Sequence, residues 1–201
     1  MKKGDIRRQQ ILERTADHVL AHGLQGASLR PLAAAAGTSD RMLLHYFADK
    51  EALLTATLTL ITQRLIAMLE HAQTDPLPFQ RLLPHLADMM QDARLQPYLR
   101  LWLELVALAA GEQEPFRTTA RHIANTFVTW IAGALIVERE DDRAPLAALT
   151  LAIIEGCIIF DALGDESPRN LAVAGFALGL GTGQGMTSPS RENGAGNQDR
   201  T

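Results

Sequence analysis

Apolar positions recur along this chain at three- and four-residue spacings almost from end to end, and alternating apolar–polar runs bounded by turns are nearly absent. That periodicity puts one apolar stripe on each of a succession of helices and predicts an all-α fold with no strand. The first helix spans about Ile6 to His22, with Leu12, Ala16, Val19 and Leu20 on one face and Gly23 as its stop. A second follows Ser28 and ends at Gly37, burying Leu29, Leu32, Ala33 and Ala36. Pro31 falls in its first turn, where a missing N–H costs nothing, so the Ser28 hydroxyl is expected to cap the N–H of Arg30. Thr38 and Ser39 form a turn, and Ser39 is the N-cap of a very short third helix, Asp40 to Tyr46. Asp49 caps a long fourth helix, from about Lys50 to His71. Further helices are expected over about 78–93, 97–110, 115–138, 146–163 and 168–182, with Pro, Gly or acidic breaks between them. Residues 184–201 are polar, Gly-rich and without periodicity, the composition of a disordered tail.

The third helix is too short to persist alone in water, because helix nucleation is costly and it offers little propagation to offset it. It must be docked. Leu43 and Phe47, four apart, supply the inward anchor with Met42 and Tyr46 flanking, which leaves Asp40, Arg41, Leu44 and His45 on the opposite face. Two helices joined by a short Gly-containing turn, the second presenting polar residues outward, make a helix-turn-helix whose second helix enters the DNA major groove. A purely structural helical hairpin would use the same spacing. Ala33 to Ala36 are small enough for close helix approach, and Gly37 can take the positive φ such a turn needs.

Charge sharpens this picture. The net charge is −4, but residues 1–50 hold eight Lys/Arg against five Asp/Glu, and the remainder eleven against eighteen. A +3 front end on a −7 body suits a phosphate-facing module, although chance produces such differences too. Cys157 is the only cysteine, so there is no internal disulfide and no thiolate cluster, and a reducing cytoplasm is the expected compartment. No apolar h-region follows the basic start, and Glu155 and Asp161 interrupt the most apolar stretch, "LTLAIIEGCIIFDALG", so the chain reads as soluble with no membrane partner.

Residues 11–54, "ILERTADHVLAHGLQGASLRPLAAAAGTSDRMLLHYFADKEALL", resemble the N-terminal domain of the tetracycline-repressor (TetR) family of bacterial transcription regulators. The matching signals, in order, are "HGLQGAS", "LAAAAGTS" across the turn, the "HYF" aromatic end and "DKEALL" opening the fourth helix. The resemblance implies three regions: a helix-turn-helix DNA-binding domain over 1–49, a helical effector-binding and dimerisation domain over 50–183, and the tail over 184–201. Carried over residue by residue, it makes Ser28, Arg30, Thr38, Ser39, Tyr46 and Lys50 candidate phosphate contacts and Arg41 and His45 candidates for base edges. Leu44 stands where the family usually has a tyrosine, and a thymine-methyl contact or simple packing are both open to it. Asp40 suits a helix N-terminus electrostatically, or reads a cytosine. Lys2, Lys3, Arg7 and Arg8 form either a basic arm along the backbone or a solvated N-terminus.

The larger domain carries Met68, Met89, Trp102, Phe127, Trp130 and Phe160 on helices that the family packs around a ligand cavity, with Met90, Glu104 and His122 interspersed. Each of them can equally be core, but together they suit an apolar or aromatic effector, with Glu104 favouring cationic groups. Gly175, Gly179 and Gly183 are four apart; Gly183 reads as fraying towards the tail, while Gly175 and Gly179 point to close helix packing in a two-fold bundle shared with residues 146–163 of a second copy. His18 and His22 have metal-ligand spacing but no third ligand, "EREDDR" reads as a solvated loop, and "GLGTGQG" lacks both the strand and the lysine of a phosphate loop. No metal, no cofactor and no enzymatic residue set is therefore expected. The function implied is that of a homodimeric repressor, released from a pseudo-palindromic operator by a small molecule. The rival readings are a constitutive regulator with a filled core, a ligand-binding protein that has lost its DNA contacts, and a helical enzyme.

Overall fold

The computed structural model describes residues 3–72, 75–164 and 166–181. Within them the chain forms nine α-helices: α1 Lys3–His22, α2 Leu29–Ala35, α3 Asp40–Tyr46, α4 Lys50–Ala72, α5 Phe79–Met89, α6 Gln96–Ala110, α7 Phe116–Ala134, α8 Arg143–Ala162 and α9 Glu166–Gly181. Lys2, Gly183 and the tail expected over 184–201 lie outside the described residues.

Local chemistry sets most of the boundaries. Gly23 and Gly37 take φ of 73° and 62° directly after α1 and α2, where a side chain would strain the backbone. Ser39 Oγ accepts the Met42 N–H at 3.3 Å, and Asp49 Oδ1 accepts the Ala52 N–H at 2.7 Å, so α3 and α4 begin on their expected caps. Ser28 departs from expectation. Its hydroxyl makes no cap hydrogen bond, and its backbone carbonyl accepts the Leu32 N–H instead.

A second correction concerns α7, which stops at Ala134 and not near residue 138. The Arg143 guanidinium donates to the carbonyls of Ala132 and Leu135, both at 2.7 Å, satisfying acceptors that a continuing helix would have used. Freed from the helix, Leu135–Ile136 (β2) pairs in parallel with Leu77–Pro78 (β1), a minimal sheet that the periodicity did not foretell. Pro78 can take part because two-residue pairing at an edge does not demand its missing N–H.

Two apolar clusters fill the interior. The first gathers Ile11, Ala16 and Val19 of α1, Leu32 of α2, Leu43 and Phe47 around α3, and Leu53, Leu54, Leu58 and Ile61 of α4, and is closed by Leu101 and Leu105 of α6 and Ile123 of α7. The expected domain boundary at residue 49 is thus the start of a helix and not a break in packing. The second cluster joins the end of α4 to α5, α7 and α8, and Phe127 touches both. Arg169 of α9 is buried against α5 and α8, donating to the Ala87 carbonyl with Asp161 Oδ2 at 3.6 Å from its Nε.

The expectation that no segment has the length and apolarity of a membrane span also needs correcting. Two stretches, Lys50–Ala72 and Glu140–Ala162, are long and apolar enough by length and composition, because Ala and Leu crowd them and few charges interrupt. In this fold the front half of α4 is core, packed against α1.

Candidate DNA interface and effector cavity

The turn between α2 and α3 is held from behind by α1. Arg7 donates to the Gly37 carbonyl and Arg14 to the Ala36 carbonyl, both at 3.3 Å, while the Arg8 guanidinium stacks 4.7 Å from the Phe47 ring centroid. Arg7 and Arg8, read from sequence as a basic arm or a solvated terminus, thus brace the turn and the aromatic anchor. A Cβ on Gly37 would stand 2.7 Å from the mobile end of Arg14, Nη1, so it is the positive φ that calls for glycine there.

With Leu43 fully buried and Phe47 nearly so, α3 turns Arg41, Met42, Leu44 and His45 outward, and these four with Ser39 rim one broad concavity. Ser28, Arg30, Asp40 and Lys50 are exposed on the same domain, Thr38 is half-buried in the turn, and half-buried Tyr46 meets the His45 ring edge-on at 5.1 Å. Met42 is the residue that sequence reasoning passed over on this face. Its position three before His45 was the available signal, since residues three apart share a helix face. The arrangement offers hydrogen-bond donors, a cation and two apolar tips on a helix thin enough for a major groove.

Three polar links tie this domain to the rest of the chain. Arg64 of α4 bridges Glu13 and Asp17 of α1, and its hydrogen bond holds the Glu13 carboxyl below the usual carboxylate range. The Thr15 and Thr57 hydroxyls meet at 3.1 Å in the buried α1–α4 seam. Glu104 of α6 accepts the Leu24 N–H at 2.7 Å, capping the backbone that turns from α1 towards α2.

Behind α6 lies a largely apolar cavity of about 70 Å³ between α4, α5, α6, α7 and α8. Trp102, Phe127 and Trp130 line it, as does Glu155 of α8, whose Oε2 accepts the Trp102 indole N–H at 2.6 Å. Burial pushes the Glu155 carboxyl above its ordinary range, against the pull of that hydrogen bond. A smaller hollow adjoins it through Tyr98, Trp102 and Phe127 and reaches Leu101 and Leu105 of the first core cluster.

The other residues proposed for an effector lie elsewhere. Met68 and Met89 line a separate hollow of about 300 Å³ beside Asp92 and Arg94, where the arginine holds the Asp92 carboxyl at about 2. Phe160 is half-buried and outside the cavity wall, His122 is exposed, and Glu104 serves the Leu24 cap. The cavity's carboxylate is Glu155, and its signal was in plain view as the first of two acids inside an apolar run. His18 and His22 stack at 4.3 Å, and no group of three potential metal ligands occurs among the described residues.

Residues 11–57 match the family model for bacterial regulatory proteins of the tetR family. The chain is 29% identical over 167 residues to the HTH-type transcriptional regulator BetI of Ectopseudomonas mendocina, covering 81% of this chain and 85% of that one. It is 25% identical over 155 residues to the regulator PksA of Bacillus subtilis, covering 75% and 76%. The structure superposes on a Rhodococcus chain described as a TetR-family transcriptional regulator with a TM-score of 0.69 at 26% identity, over 87% of this chain and 96% of that one.

Proposed function

Because the chain belongs to the TetR family of bacterial transcriptional regulators, and so is a DNA-binding regulator, we propose that it works as a dimeric repressor which a small molecule releases from a two-fold operator. The observation that carries the effector half of this reading is the position of α6. Trp102 on one side of the helix faces the cavity, and Glu104, two residues on, holds the Leu24 N–H of the DNA-binding domain. A ligand that displaces Trp102 moves the element that positions the α1–α2 turn, so ligand and operator favour different arrangements and each weakens the other.

The DNA half rests on the exposed face of α3, with Arg41 and His45 at base edges and Ser28, Arg30, Thr38, Ser39, Tyr46 and Lys50 towards phosphates. Asp40 sits at the helix start and Leu44 beside a thymine methyl. The dimer half draws on Ile159, Leu163 and Leu171, large apolar side chains half or more exposed on and beside α8 and α9. Around Gly175 a Cβ would meet nothing within 4 Å, which leaves room for a second copy's helix to approach.

The experiment is a paired titration. A compound that changes tryptophan emission and raises Tm should release a fluorescent operator duplex in anisotropy, and Trp130→Ala should weaken all three responses together. A compound that binds tightly and leaves operator affinity unchanged would overturn the release mechanism.

A further inference from the structure

Glu155 is an expensive residue to keep where it is. Its carboxyl is largely buried, and among the described residues its one hydrogen bond is to the Trp102 indole and no Lys, Arg or His lines the cavity. A carboxylate removed from water needs a counter-charge or must stay protonated, and nothing in the wall supplies the charge. Tyr98, Trp102, Phe127 and Trp130 line the same space, and aromatic ring faces attract a cation as well as an apolar body. Size limits the occupant. A cavity of about 70 Å³ takes roughly five to seven waters at 10–15 Å³ each, about 150–210 Å³ of liquid at ~30 Å³ per water, which reaches the volume of one aromatic ring with a short chain.

We infer that the cavity binds a small hydrophobic monocation, an aryl- or alkylamine of about one ring in size, with its ammonium group on the Glu155 carboxylate and its apolar body among the four aromatic side chains. The assignment rests on the effector reading above and narrows it to a chemical class. Glu155, and not Glu104, is the selecting charge. The ammonium takes acceptor positions on the carboxylate in competition with the Trp102 indole, and the ligand supplies the counter-charge that the fold lacks.

The test uses three probes of nearly equal size on the full-length protein: 2-phenylethylamine, 2-phenylethanol and 3-phenylpropionate, followed by tryptophan emission and thermal shift. The amine is expected to bind about tenfold tighter than the alcohol, the scale of one charge-assisted contact, and the anion to bind worst. Glu155→Gln should bring amine and alcohol to within about threefold of each other. The comparison on the unaltered protein decides the matter even if the variant does not fold. The assignment is overturned if the alcohol or the anion binds as well as the amine, if the preference survives Glu155→Gln, or if none of the three binds at millimolar concentration. Operator release is read separately by anisotropy. An amine that binds selectively and leaves the operator complex intact would sink the release mechanism while the cavity's chemistry stands.

Discussion

The hydrogen bond between Glu104 and the Leu24 N–H can be tested with two substitutions that should report one event. Gly23 has a φ of 73°, and a Cβ there would lie 2.5 Å from Glu104 Oε1. Gly23→Ala therefore does two things: it places a side chain in left-handed backbone, costing about 1–2 kcal/mol, and it expels the carboxylate from its place on Leu24. Glu104→Ala does only the second. A hydrogen bond to a charged group contributes about 1.5–3 kcal/mol, so Gly23→Ala is expected to cost about 2.5–5 kcal/mol and Glu104→Ala about 1.5–3. Once Glu104 is gone the alanine at 23 has nothing to expel, so the double variant should cost no more than Gly23→Ala alone. The coupling, about 1.5–3 kcal/mol, is the hydrogen bond counted once instead of twice. Urea unfolding at fixed protein concentration measures all four corners of the cycle, and in a chain of this size each kcal/mol also moves Tm by roughly 2–4 °C. Costs that add to within about 0.5 kcal/mol would show that Glu104 does not support this turn.

Arg41→Ala is expected to weaken specific operator binding by about 1–3 kcal/mol, whereas Lys50→Ala should weaken specific and random duplexes alike and flatten the salt dependence; competition anisotropy at two salt concentrations separates them. Leu171→Glu, on an exposed apolar position of α9, should shift the protein towards monomer in sedimentation, and a variant still dimeric at low micromolar concentration would place the interface elsewhere. Because burial raises the folded-state pKa of Glu155, the folded protein holds that proton to higher pH than the unfolded chain does. Its contribution is fully present below the unfolded carboxylate range and is lost as pH climbs through the raised value. Glu155→Gln should therefore raise the Tm of the ligand-free protein near pH 8 and leave it unchanged near pH 4; an equal shift at both would assign the effect to packing.

The DNA-binding half was legible because its signals are local. Ser39, Asp49, Gly23 and Gly37 each act on backbone within a few residues of themselves, and the Leu43–Phe47 anchor is a four-residue spacing, so caps, stops and docking face could all be read in short windows. What went unread is set by partners distant in sequence. Arg143 decides where α7 ends, eight and eleven residues from the carbonyls it caps. Glu104 meets its partner eighty residues away, and from its own helix it reads equally as a cavity charge or a surface one. Cap statistics favour a Ser28 hydroxyl bonded to its own helix, yet its carbonyl accepts the Leu32 N–H and the residue stays exposed, with a hydroxyl donor available to phosphate. Met68 and Met89 share the periodicity of the residues around Trp102 but border a different hollow, because periodicity fixes which face of a helix is apolar and not which neighbour covers it.

The geometry of α6 also bounds how the proposed release can work. Residues two apart on a helix point about 200° from one another and sit about 3 Å apart along its axis, which is how Trp102 and Glu104 address opposite neighbours from a single turn. Between them the helix is stiff, so motion at one end of the pair is motion at the other. The Glu104–Leu24 hydrogen bond is 2.7 Å long, and a displacement of only about 1 Å takes it beyond useful hydrogen-bond range. An amine seated on Glu155 competes for the carboxylate that Trp102 now holds, and loosening that ring frees α6 to shift. Leu101 and Leu105, on the same helix and buried in the core of the DNA-binding domain, resist the shift, because close-packed interiors move between discrete arrangements instead of deforming smoothly. The coupling between ligand and operator is therefore limited by what that hydrogen bond and its packing can supply, a few kcal/mol, which is the range in which allosteric couplings fall. A Glu104→Ala protein should then bind the amine at least as tightly as the unaltered protein and respond to it with a smaller loss of operator affinity. Full release in that variant would mean that the signal travels by Arg64 and α4 instead.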